Sequence, residues 1–397
     1  MKSKVIVFLL FLLWGNFFFA LTVKAVGNIE SVRTPQNILE KQQQNLDLRE
    51  LEEFMREIDQ EISFLLPEMS LSQMIEQFKK GELDFSPQET MQKILTYFWR
   101  EVFINLSLLG KLLIIAVICT ILQTLQAAFE QGTVAKLAYF ICFLVVLTLA
   151  VGSFKLAIST GLVVIEKMVG FMHLLLPVLL VLLTAVGGLT TVTLLQPFLL
   201  VFLSFMSTFS QDIIFPLIFL TAVLAIANNI SDHFKISRLT DFFKQLTKVG
   251  IGLVLTLFIG VITVEGAAGA VVDGVTLRTA KYMTGAFVPV AGSMFADALD
   301  AVIGGSLLLK NAIGLTGVLV LGAIVLFPVI KILTLAIIYR LASALLQPLG
   351  DSLLANTLEE MSGCLFLTFA AVASVAIMFF MTITIIVGTA NFTVMLR

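Results

Sequence analysis

Histidine, cysteine and charge are all scarce in this chain. His173 and His233 are the only histidines in 397 residues, and neither has a cysteine or an acidic pair at ligand spacing. The three cysteines, Cys119, Cys142 and Cys364, lie singly inside apolar runs, with no CxxC among them. Cysteines of that kind are small buried hydrophobes, so the sequence implies no metal, redox or other cofactor site. No G-x-x-x-x-G-K-[ST] loop occurs. Gly305-Ser306-Leu307-Leu308-Leu309-Lys310 has a glycine and a lysine but lacks the second glycine and the hydroxyl residue that a phosphate loop needs. Nucleotide hydrolysis by that route is excluded, and any energised transport needs a partner. Charged residues make up 13% of the chain, against about 25% in ordinary soluble domains.

What fills the space is apolar. The hydrophobic fraction is 58% and the mean hydropathy +1.02. From Lys111 to Leu396 charges come only in small islands, and Leu174–Gln211 and Met361–Leu396 carry none. A hydrocarbon core of roughly 30 Å takes about 20 apolar residues per helix, so each of these runs exceeds one span. The expected fold is all-α, a polytopic membrane helix bundle preceded by a signal peptide and a small helical extracytoplasmic region. The expected division is residues 1–25, 26–100 and 101–397.

Lys2 and Lys4 open the chain, Val5–Phe19 is an apolar run, and Val23-Lys24-Ala25 offers small residues for cleavage after Ala25. This is the pattern of a signal peptide; an uncleaved anchor helix is the alternative. Both put Val26–Arg100 on the outer face. That region holds 14 acidic and 8 basic residues, a net of −6, which argues against nucleic-acid binding. Within it Leu48, Leu51, Met55, Ile58, Ile62 and Leu65 recur at 3–4 spacing as one helix stripe ended by Pro67. The stripe packs within the chain or pairs with a partner helix. A short amphipathic helix follows, with Leu71, Met74, Ile75 and Phe78. Ser86-Pro87-Gln88-Glu89 then reads as the start of a long helix that enters lipid beyond Trp99 and Arg100.

Seven or eight spans are expected. They cover about Ile104–Ala127, Leu137–Ser159, Met168–Val186, Leu189–Ser210, Ile213–Ala227, Val249–Val264, Leu315–Tyr339 and Cys364–Ala390, with a break at Gly187-Gly188. Leu174–Ala227 divides in more than one way. Lys235, Arg238, Lys244 and Lys248 concentrate in the island Asn229–Lys248, and Arg340 follows the seventh span. An outer amino terminus places both on the cytoplasmic side, as the positive-inside rule requires.

The most unusual stretch is Glu265–Gly314, in which charges sit singly among small residues. The candidate pore-lining or packing residues are Gly266, Gly269, Asp273, Gly274, Arg278, Lys281, Asp297, Asp300 and Lys310. Small residues let membrane helices approach closely, and polar groups at membrane depth face a bundle interior or a water-filled path. A re-entrant or pore-lining element and an outer loop of short helices both fit. Pro177, Pro197 and Pro216 fall in successive spans, as kinks or as the broken helices of a transporter site.

GAAGAVVDGVTLRTAKYMTG, DALDAVIGGSLLLKNAIG, Leu345–Gly350, Thr133–Tyr139 and Phe85–Glu89 together resemble the stage III sporulation protein AE family of endospore-forming bacteria. The resemblance runs over essentially the whole chain and is weakest over Val26–Asp84. It implies a non-enzymatic, multi-pass component of the mother-cell-derived membrane around the forespore. There it would join a feeding-tube or secretion-like channel complex that sustains spore development. The implied partners are other stage III sporulation A-group membrane proteins, including a separate ATPase, and stage II sporulation protein Q across the intermembrane space. Membrane lipid surrounds the chain, and homo-oligomers are open to it. The resemblance offers no catalytic, cofactor or metal residue. Two other functions stay open: a stand-alone secondary transporter for a small solute or ion, and a non-conducting scaffold.

Topology reporters fused within Asn229–Lys248 should show cytoplasmic activity. Periplasmic-type activity there would invert the orientation.

Overall fold

The computed structural model describes residues 49–54, 87–128, 133–230, 236–287, 291–349 and 352–395. The signal peptide, the 26–48 stretch, Met55–Leu65 of the stripe and the short helix at Leu71–Phe78 lie outside the described residues. Those described are helical almost throughout, with no strand among them. Seven α-helices follow residues 49–54: α1 (Pro87–Ala128), α2 (Thr133–Ala185), α3 (Leu189–Phe209), α4 (Phe215–Ile230), α5 (Ser237–Phe287), α6 (Ala291–Leu346) and α7 (Ser352–Met395). A π-helical turn, Ser210–Ile214, joins α3 to α4, and a 3₁₀ turn, Gln347–Leu349, precedes α7. In hydrocarbon each backbone group must be satisfied within its own segment, and long unbroken helices do this.

Six segments are long and apolar enough to cross a membrane: Met91–Leu122, Leu137–Ala185, Leu189–Asn229, Ser237–Ala280, Val302–Leu346 and Leu353–Asn391. This differs from the seven or eight separate spans expected. Leu137–Ser159 and Met168–Val186 lie on the single helix α2, and Leu189–Ser210 runs into Ile213–Ala227 through the π turn. Residues 160–167, which lie between those two expected spans, are part of the continuous helix, with Glu166 exposed and Lys167 half-buried on it. Pro216 explains the π turn. Having no N–H, it leaves the Asp212 carbonyl without its usual partner, and the Phe215 N–H reaches back five residues to Ser210.

Gly187-Gly188 is a turn, as expected. The Gly187 N–H donates to the Thr184 carbonyl (2.9 Å) and the Gly188 N–H to the Leu183 carbonyl (2.9 Å), with Gly187 at φ +95°. These two bonds form a Schellman motif, which ends α2 in the left-handed conformation that glycine adopts without strain.

α6 and α7 form the most extensive helix pair, and α2 packs on both. The core follows this centre, with Tyr339, Phe143, Phe154, Phe171 and Phe379 fully buried. Tyr339 satisfies its hydroxyl on the Ala150 carbonyl of α2 at 2.9 Å. Glycines set close approaches: a Cβ on Gly161 would meet the Phe215 ring at 2.9 Å, and one on Gly317 would meet Leu175 at 2.6 Å. The amino-terminal stripe is seated on the bundle where it is described. Leu51 is buried, and Phe54 stacks on Phe171 with ring centroids 6.1 Å apart.

One end of the bundle holds the α2–α3 turn and the α5–α6 connection; it is called here the hairpin end. The basic end holds the α4–α5 and α6–α7 connections. There Lys244 pairs with Glu360, Arg340 with Glu359 at 3.3 Å, and Asn229 donates to Thr357 at 3.2 Å. The Ser343 hydroxyl donates to the Ala355 carbonyl and the Ser362 hydroxyl to the Ala336 carbonyl.

Gly187→Ala should destabilise the protein by about 1–3 kcal/mol, through a disfavoured φ and a new contact with Leu277. The check is the thermal unfolding midpoint in detergent, which should fall by several degrees.

Candidate functional site

The sequence from Glu265 to Gly314 builds the hairpin end, as nearly half of α5 at its close and nearly half of α6 at its start. The structure gives the ends of two long helices in place of an outer loop of short ones. Along α5, Gly266, Gly269, Ala270, Asp273 and Gly274 are buried, while Val264, Ala267, Ala268, Val271 and Val275 are exposed. The 3–4 spacing of the small and acidic residues puts them on the packed face.

Asp273 is the centre of that face. It is 2% exposed and accepts three hydrogen bonds from the start of α3: Thr190 N–H at 2.7 Å, Thr191 N–H at 2.9 Å and the Thr191 hydroxyl at 2.7 Å. The need arises locally. The N-cap of α3 is Gly188, which has no side chain to satisfy the first N–H groups of the helix. Asp273, some 80 residues later, caps the helix in trans, and its carboxylate also meets the positive end of the α3 dipole. The glycines around it make room. A Cβ on Gly269, one turn before Asp273, would lie 2.6 Å from the Thr191 hydroxyl and 2.7 Å from its Cα. A Cβ on Gly187 would run into Leu277, one turn after Asp273.

Lys310 forms the second polar contact. It has no exposed surface and donates to the Ile386 carbonyl of α7 at 2.5 Å and to the Val387 carbonyl at 3.4 Å. No carboxylate pairs with it among the described residues. The Thr389 hydroxyl donates to the same Ile386 carbonyl at 3.0 Å. Glycines flank this turn of α7 on both sides: a Cβ on Gly266 of α5 would press on Ile385 and Thr389, and one on Gly314 of α6 on Val387. Beside it Asn311 donates to Asn391 at 3.4 Å, while the Asn311 carbonyl oxygen and the Ser306 hydroxyl are buried without partners.

The predicted residues therefore fall into groups. Gly266, Gly269, Asp273 and Lys310 are buried at helix contacts, Gly274 is buried next to Asp273, and Arg278 is exposed. Lys281, Asp297 and Asp300 lie on helical backbone, and their side chains are outside the description. Among the described residues, no group of three or more His, Cys, Asp or Glu side chains could hold a metal. A cavity of about 220 Å³ lies between α2 and α3, lined by apolar residues with Thr184 and Gln196. Pro177 and Pro197 stand inside the two helices there. Asp212 escaped the sequence reading although its signal was available: it is the only charge between Lys167 and Asp232.

This bundle and its two polar contacts can be set beside known proteins. A profile of the family described as stage III sporulation protein AE matches residues 69–390. The chain belongs to that family. It is 41% identical, over 379 residues, to the stage III sporulation protein AE of Bacillus subtilis (strain 168), covering 94% of this chain and 95% of the relative. No solved structure matches it. It is thus a sporulation protein of the membrane, and the stretch with the polar contacts lies within the matched residues.

The two contacts predict stability changes of opposite sign. Asp273→Ala orphans two N–H groups and a hydroxyl, and should cost about 2–4 kcal/mol. Lys310→Met removes a desolvated cation from helix carbonyls that keep their own ladder bonds. It should be neutral, or stabilising by about 1 kcal/mol. Thermal midpoints of the purified variants in one detergent check both.

Proposed function

We propose that this chain is a non-enzymatic membrane subunit of a multiprotein channel linking mother cell and forespore, in the membrane around the forespore. Membership of a sporulation family supports the setting. The observation that carries the subunit reading is how little of its apolar surface the chain covers for itself. In the most apolar stretches of its six long segments the buried share runs from 17% in Ser237–Ala280 to 50% in Leu353–Asn391. A transporter complete in one chain encloses its own path; here at least half of the residues in each of those stretches are left unburied by the chain itself. Partners that fit the reading are the other stage III sporulation A-group proteins, a separate ATPase among them, and stage II sporulation protein Q across the intermembrane space.

The orientation belongs to the same proposal. If each of the six long segments crosses once and residues 26–100 lie outside, the Asn229–Lys248 island follows three crossings. Eight spans would place it after five. The parity is the same, so the basic end faces the cytoplasm in either case and satisfies the positive-inside rule. With six crossings the hairpin end, with Asp273 and Lys310, then faces the space between the two membranes.

Lys310 is the observation that favours a stand-alone transporter, because a buried cation without a counter-charge is a common mark of a transport path. Reconstitution decides between the readings. Purified chain alone in vesicles should pass no small solute or ion, and the chain should co-purify from sporulating cells with the A-group proteins. Flux by the chain alone that Lys310→Met abolishes would establish the transporter instead. Co-purification with sealed vesicles even when the whole complex is reconstituted would leave only a scaffold.

A further inference from the structure

α3 is packed on one side and bare on the other. Thr191, Leu195, Leu199, Phe202, Leu203 and Met206 are buried against the bundle. On the opposite side Thr193, Gln196, Leu200, Ser204, Thr208 and Gln211 are all exposed, at spacings of 3, 4, 4, 4 and 3. Five of these six are polar, on the outward stripe of a helix whose mean hydropathy window reaches 2.0. Gln196 makes no hydrogen bond among the described residues. At the end of the stripe the π turn pushes Asp212 to the surface, and no cation pairs with it among the described residues.

Asp212 stands near the middle of Leu189–Asn229, a 41-residue apolar segment. At 1.5 Å per residue that segment is about 62 Å long, twice the roughly 30 Å of hydrocarbon. Even tilted by 40° it spans about 47 Å of depth. Two placements follow. If the hydrocarbon is centred on the segment, an unpaired carboxylate lies at mid-bilayer. If it covers one half, Asp212 is at the boundary, and the exposed apolar residues of the other half stand in water: Val201 (69% exposed) and Phe205 on one side, or Ile213 and Phe219 on the other. In either placement this face needs a protein cover, and the cover must answer a negative charge and the Gln196 amide; the Thr193 and Ser204 hydroxyls beside them donate to the Leu189 and Leu200 carbonyls of their own helix, and Gln211 donates to Ser207.

We propose that the outward face of α3 and its π turn is the docking seam for a transmembrane helix of another membrane protein. That helix carries a lysine or arginine at the level of Asp212. Small and polar side chains at 3–4 spacing let a second helix approach closely and hydrogen-bond across the contact, and the basic residue pairs with the carboxylate. The inference deepens the subunit reading above, on which the existence of a membrane partner rests.

Photo-crosslinking in sporulating cells tests it on the full chain. A photoreactive phenylalanine analogue replaces Leu200 or Thr208, with Val275 on exposed α5 as the control. The expected result is the same protein adduct from both α3 positions, distinct from any adduct at the control. Its cross-linked peptide should map to a transmembrane helix containing Lys or Arg. Asp212→Asn should cut the adduct at least tenfold per molecule of chain, and Asp212→Glu should restore it. The proposal is overturned by an adduct containing only a second copy of this chain, by lipid adducts alone, by a partner helix without a basic residue, or by a yield that Asp212→Asn leaves unchanged. Loss of the adduct would leave the subunit reading standing, since flux and co-purification decide that separately.

Discussion

The constraint behind this architecture is the mismatch between helix length and membrane thickness. Hydrocarbon forbids loose backbone, so the chain is written as long helices. Five of the six apolar segments run 39–49 residues, where about 20 suffice for a span. Helices this long cannot be held by hydrophobic burial alone, because lipid is as apolar as leucine. Their association relies on van der Waals fit and on a few polar bonds. The glycine contacts at Gly161, Gly266, Gly269, Gly314 and Gly317 supply the fit, and buried polar groups at each end supply the register.

The two ends solve this differently. At the basic end opposite charges meet directly, Lys244 with Glu360 and Arg340 with Glu359, in partly exposed positions where each pair adds little stability. At the hairpin end single charges are buried and answered by backbone. Asp273 has donors for both oxygens, so its burial is well compensated. Lys310 has only carbonyls that the α7 ladder already uses, and Ser306 and Asn311 beside it keep unpaired oxygens. Natural proteins hold most buried polar atoms in hydrogen bonds, so this cluster is the part of the packed interior with the weakest structural justification.

Much of this was legible in the sequence. The lack of charge announced lipid, and Gly187-Gly188 announced the α2–α3 turn. The small-residue stretch Glu265–Gly314 stood out as a pore-lining or close-packing element, and Asp273 and Lys310 are both within it. What could not be read was pairing at a distance. Nothing local to Asp273 says that it caps a helix beginning at Leu189, because that helix lost its own cap only through the choice of Gly188. The length of α2 is a related case: Glu166 and Lys167 fall between two expected spans and yet stand on one continuous helix. A pair of charges looks the same whether it lies in a loop or on the surface of a continuous helix, and hydropathy windows average over the difference. Asp212 was passed over because its significance depends on exposure: the same residue turned inward onto a lysine would be an ordinary ion pair.

The uneven burial of the helices also says where the chain meets its surroundings. α7 and α6 are the most enclosed, α2 wraps them, and α5 is covered least. Yet α5 carries Asp273, Gly266 and Gly269, so it is tied at its packed face by specific contacts and left bare elsewhere. A helix that only needed to sit in lipid would not require glycines at that spacing, and a helix buried within a single chain would not keep Val264, Val271 and Val275 exposed along the opposite face. The combination ties α5 at one face by backbone fit and buried polar bonds, and leaves its other, apolar face to the surrounding membrane or to whatever packs there.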